Sequence, residues 1–84
     1  MVNAVSVHIS QKRQALYNHY LGCLKDIADE EQRGAMTNAL NMHYMRLQKP
    51  SRYYDDMHRH YIRDVRGGAN RRMLRMMEDS LSAI

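Results

Sequence analysis

Apolar residues recur at helical spacing along most of this chain, and proline, glycine or a capping acid separates one run from the next. The first residues are the exception. Val5, Val7 and Ile9 alternate, which predicts an extended arm over residues 1–9. Ser10 then offers a helix cap, and Leu16, Tyr20, Cys23, Leu24 and Ile27 fall on one face of a helix over residues 10–28, with Tyr17, Leu21 and Ala28 widening the stripe. Asp29-Glu30-Glu31-Gln32 opens a second helix over 30–48, because a cap carboxylate accepts an orphan N–H and acids suit a helix N-terminus. Met36, Leu40, His43, Tyr44 and Leu47 carry that helix to Gln48, and Pro50 prevents its continuation.

Ser51 starts a third helix over 51–66, with Tyr54, Met57, Tyr61 and Val65 along one side. Gly67-Gly68 then either ends that helix or bends it, and Asn70 is placed to cap a last segment over 70–82 carrying Met73, Leu74, Met77 and Leu81. The expected fold is all-α: a small antiparallel bundle of three helices, or of four if the glycines separate the last two, with an extended N-terminal arm.

Composition sharpens this picture. A chain of 84 residues makes one domain and leaves much of its surface in water. Phe and Trp are absent, so eight Met and six Tyr supply much of the apolar volume, and flexible Met side chains make an adaptable core. From Arg46 to Arg75 there are nine basic residues against three acids, a net +6 within an overall +4. Such a segment attracts an acidic protein, a nucleic acid or an anionic surface. The single cysteine, Cys23, excludes an intrachain disulfide. No apolar run reaches the ~20 residues that a membrane-spanning helix needs.

The stretch Gln11-Lys12-Arg13-Gln14-Ala15-Leu16-Tyr17-Asn18 resembles the motif of the LYR family of small mitochondrial helical proteins, with Asn18 where the third letter is usually Arg. Tyr44 stands for the aromatic of that family's second helix, and Tyr61 to Leu74 resembles its glycine-containing third helix. The resemblance implies a non-catalytic adaptor or accessory subunit of a larger assembly in the mitochondrial matrix. It also implies acyl carrier protein as partner, its acyl-phosphopantetheine arm lying between the helices, with no cofactor of the chain's own. The partner-binding residues would be Arg13, Leu16, Tyr17, Asn18, Tyr44, Arg46, Lys49 and Arg63, since Arg and Lys would clamp the acidic partner and its phosphate. The arginine-rich second half also fits a small nucleic-acid-binding regulator, although no helix presents a face of Arg, Asn and Gln that would read bases.

Catalytic and metal chemistry find little in the sequence. Asp55 and Asp56 diverge on a helix, and no nucleophile has a base at a recognisable spacing. His58 and His60 are two apart and point in different directions on a helix. His43 and His58 could meet across helices, but a histidine on an apolar stripe reads first as core. No metal ligand and no enzyme activity are therefore expected.

Overall fold

A computed structural model describes the backbone from Ala4 to Ile84 and the side chains from His8 onward. Four helices follow in order: α1 (Ala4–Leu24), α2 (Glu30–Gln48), α3 (Arg52–Asp64) and α4 (Gly68–Ser82). The extended arm is not present over residues 4–9, which form the first turns of α1; residues 1–3 lie outside the described residues. The physical reason is backbone satisfaction. An isolated strand leaves every N–H and C=O without a ladder partner, whereas a helix pairs them within itself, and no strand exists among the described residues to receive one. Ser10 accordingly sits inside α1 rather than at its start.

The helix boundaries come from side chains that compete for backbone groups. Asp29 has extended backbone, and its carboxylate accepts the N–H of Gln32 at 3.1 Å, which starts α2. Gln32 does not reach back to complete a capping box. Its side chain is buried and turns the other way, its amide donating to Asp64 O at 2.9 Å and its carbonyl accepting from Arg66 N at 2.6 Å. Those two bonds take up backbone groups at the end of α3, so that helix stops at Asp64. Gly67, at φ 89° and ψ 138°, then turns the chain into α4. The glycines separate two helices. Asn70 lies within α4, where its side chain donates to Arg66 O at 3.1 Å instead of capping.

Cross-links between elements give their directions. Tyr17 of α1 bonds Asn41 of α2, and Arg13 bonds Gln48. Arg13 also reaches Leu81, while Tyr20 reaches Met76 of α4. Thus α1 runs antiparallel to α2 and to α4. Arg46 to Asp55 and Gln32 to Asp64 set α3 antiparallel to α2. All three other helices pack on α2, whose Ala35 and Ala39 let neighbours approach closely beside Met36 and Leu40. Leu24, Val65, Leu74, Met77 and Leu81 complete the buried core.

Two sequence expectations change here. Cys23 is exposed, because the inward stripe of α1 runs through Leu16, Tyr17, Tyr20, Leu21 and Leu24 at three- and four-residue steps and passes it by. Among the described residues, Met36 and Met77 are the buried methionines, while Met76 is half exposed. The interior is therefore built more from Leu and Ala than from Met.

Candidate functional site

The backbones of α3 and α4 do not approach each other closely along their lengths; each packs on α2 instead or on the core through its own side chains. A cleft of about 330 Å³ opens between them, floored by α2. Ile62, Val65 and Leu74 give it an apolar wall, and Arg46, Arg71 and Arg75 line it with guanidinium groups. On α4 these alternate because Arg71, Arg75 and Glu78 follow three- and four-residue steps beside Leu74 and Met77. Arg71 is held by a bond from its Nε to Val65 O at 2.9 Å. Arg75 has no ion-pair partner among the described residues.

At the deep end of the cleft three titratable side chains from three helices converge. His58 Nε2 of α3 lies 2.5 Å from Glu78 Oε2 of α4, so this N–H donates to the carboxylate. His43 Nδ1 of α2 lies 3.8 Å from the same oxygen. Both imidazoles and the carboxylate are buried. Arg46 donates to His43 Nδ1 from two guanidinium nitrogens at 3.2 and 2.8 Å, so Nδ1 carries no proton. The opposite nitrogen, Nε2, donates toward Glu78 O at 3.0 Å and sits 2.8 Å from Ser82 Oγ. His43 is thereby fixed as one neutral tautomer. Burial pushes its pKa below the ordinary 6.5; the Glu78 carboxylate opposes that shift and the Arg46 guanidinium reinforces it.

The residues expected to bind a partner do not form one site. Arg13 is a strut between helices: its guanidinium donates to Leu81 O at 3.4 Å, to Ile84 O at 3.0 Å and to Gln48 at 3.3 Å. Leu16 packs against the core. Tyr17 and Tyr44 stack almost parallel with ring centroids 4.2 Å apart, and Tyr17 donates to Asn41 Oδ1 at 2.9 Å. Burial, with Tyr44 adding to it, raises the Tyr17 pKa above 10.0. These residues join α1 to α2. Asn18, Lys49 and Arg63 are exposed and lie outside the cleft. Of that set, Arg46 alone lines it.

His43, His58, Arg71, Arg75, Glu78 and Asp79 also line the cleft and were not among those residues. The available signal was a charged residue, Glu78, set among Leu74, Met77 and Leu81 on the inward face of its helix. A carboxylate in that register requires a buried partner. No protein-family model matches the chain, and no curated protein or solved structure does either.

Proposed function

We propose that this chain is a non-catalytic helical adaptor or accessory subunit that binds an acidic partner through the α3–α4 cleft. Acyl carrier protein in the mitochondrial matrix is the partner suggested by the Leu16-Tyr17 resemblance. The observation that carries the reading is an apolar wall of Ile62, Val65 and Leu74 beside Arg46, Arg71 and Arg75, in a cleft that also holds the Glu78 and Asp79 carboxylates. A phosphopantetheine arm with its acyl chain has matching chemistry. The phosphate would meet guanidinium groups, which make charge-assisted and bidentate bonds to phosphate. Each methylene removed from water would contribute about 0.8 kcal/mol. The exposed Arg63, Arg72 and Lys49 would steer an acidic surface toward the cleft mouth. In this reading Leu16 and Tyr17 support the helix pair, and the clamp passes from Asn18 to the arginines of α4.

Binding of acylated and unacylated carrier protein to the full chain tests this. The acylated form should bind more tightly, and Arg71→Glu or Arg75→Glu should each weaken it by about 1–3 kcal/mol. Equal retention of the two forms would remove the buried-acyl mechanism. A duplex DNA titration at two salt concentrations runs alongside. Strong binding that falls steeply with salt, without carrier-protein retention, would replace the adaptor with a nucleic-acid-binding function.

A further inference from the structure

We propose that His43, His58 and Glu78 form a binding site for a divalent transition metal, Zn2+ above all, at the deep end of the α3–α4 cleft. Each of the three offers a ligand atom within 4.8 Å of the other two. In a four-coordinate zinc site with bonds of about 2.0–2.1 Å, donor atoms stand about 3.4 Å apart. Two of the three pairs bracket that separation, with His58 to Glu78 at 2.5 Å and His43 to Glu78 at 3.8 Å, and the third lies within 4.8 Å. Binding a metal would draw the three ligand atoms onto one centre. Two imidazoles and one carboxylate are a donor set that zinc takes readily, and three protein ligands leave a fourth position for water or for an anion in the cleft.

One feature of the surroundings suits coordination, the anchoring of His43. Metal-bound histidines ordinarily anchor their other nitrogen to a carbonyl or carboxylate, which fixes the ring and the tautomer. His43 has this arrangement already: Nε2 is anchored on Glu78 O and Ser82 Oγ, and Nδ1 faces the Glu78 carboxylate. Two groups now hold the positions a metal would need. The His58 N–H points at Glu78, and Arg46 covers His43 Nδ1. Both have somewhere to go. His58 can shift to the tautomer that carries its proton on Nδ1 and so free Nε2 as a ligand, and Arg46 has Asp55 at 3.7 Å as a second partner. Arg46 is thus a competitor whose removal should expose the site.

The test is a titration of the full chain with Zn2+ and with Co2+ alone. It is followed by thermal melts, by calorimetry and by the visible spectrum of bound Co2+. One equivalent of Zn2+ should bind and raise the melting temperature by several degrees, and Co2+ should give the intense absorption of a low-coordinate site. His58→Gln or Glu78→Gln should lower the affinity by about 100-fold or more, and Arg46→Gln should raise it. The exposed pair His19 and Cys23, 3.9 Å apart on α1, is the competing surface site, and the double variant His19→Gln with Cys23→Ser should leave binding unchanged. Binding that survives His58→Gln and disappears with the His19 and Cys23 changes would overturn the proposal, as would no Zn2+ response in either the wild type or Arg46→Gln. If His58→Gln does not fold, Arg46→Gln decides, since Arg46 is partly exposed and is not one of the core residues. Tighter Zn2+ binding by that variant supports the site, and unchanged or weaker binding refutes it. Neither result depends on the carrier protein, so this site and the adaptor function fail separately.

Discussion

At His43 the two ring nitrogens do different work, one anchored on α4 and the other under the Arg46 guanidinium, and the consequence is a pH dependence of folding. Burial holds the folded-state pKa below 6.5, with Glu78 opposing and Arg46 and His58 reinforcing. As pH falls through the ordinary value the unfolded chain takes up a proton that the folded chain refuses, so stability falls with acid until the folded pKa is reached. Above both values the ring is neutral in either state, and its packing contribution is present in full. Denaturant melts of the wild type and His43→Gln should therefore show a wild-type advantage that narrows from about pH 7.5 to about pH 5.5. An advantage that widens on acidification would mean that His43 is charged in the fold.

At the scale of elements, the boundary between α3 and α4 rests on Gln32 and Gly67. Gln32→Ala would strand the carbonyl of Asp64 and the N–H of Arg66, which lose their partner in a half-buried turn. A cost of about 1–3 kcal/mol is expected, read from the shift of the denaturant midpoint. Gly67→Ala should cost a similar amount for a different reason. There is open space where its Cβ would stand, but φ 89° with ψ 138° is a conformation that side-chain-bearing residues occupy only under strain. Gly22→Ala is the opposite case. It lies inside α1 with nothing near the new methyl group, so the same substitution should stabilise by about 0.5–1 kcal/mol. If Gly67→Ala stabilises as Gly22→Ala should, the assignment of Gly67 to a strained turn is wrong.

Over the whole molecule, the radius of gyration is 13.2 Å and the extents are 43 × 26 × 17 Å, against about 12 Å for a compact chain of this length. The excess length comes from α1, whose 21 residues span about 31 Å. That helix contributes Leu24 as its one fully buried side chain among the described residues and touches the bundle elsewhere with half-buried groups. Elements with so little buried apolar surface open first. Hydrogen exchange should be fastest along α1 ahead of Arg13 and slowest in α2, around Ala35 to Leu40. Uniform protection across both helices would contradict this order. The thin core also predicts a broad, low thermal transition for the isolated chain and a gain in helicity when an acidic partner is added. A sharp transition well above about 60 °C for the chain alone would show that it needs no partner to fold.

Helix type and the main stops were legible in the chain itself, because they depend on neighbours three or four residues away. Periodic Met36, Leu40 and His43, the Asp29 cap and Pro50 are local statements, and α2 falls where that chemistry placed it, whereas local chemistry left open whether Gly67-Gly68 ends a helix or bends it. Local rules also misled where only long-range contact decides. Alternation at Val5, Val7 and Ile9 suggested a strand because periodicity says nothing about whether a pairing partner exists. Gln32 looked like half of a capping box until the fold brought Asp64 and Arg66 within its reach. The sequence placed Arg13, Leu16 and Tyr17 on one helix with Tyr44 and Arg46 on another, but could not tell a helix–helix joint from a binding surface. The cleft belongs to tertiary structure entirely. His43, His58 and Glu78 are separated by 15 and 20 positions along the chain, and only the packing of α3 and α4 on α2 sets two imidazoles against one buried carboxylate.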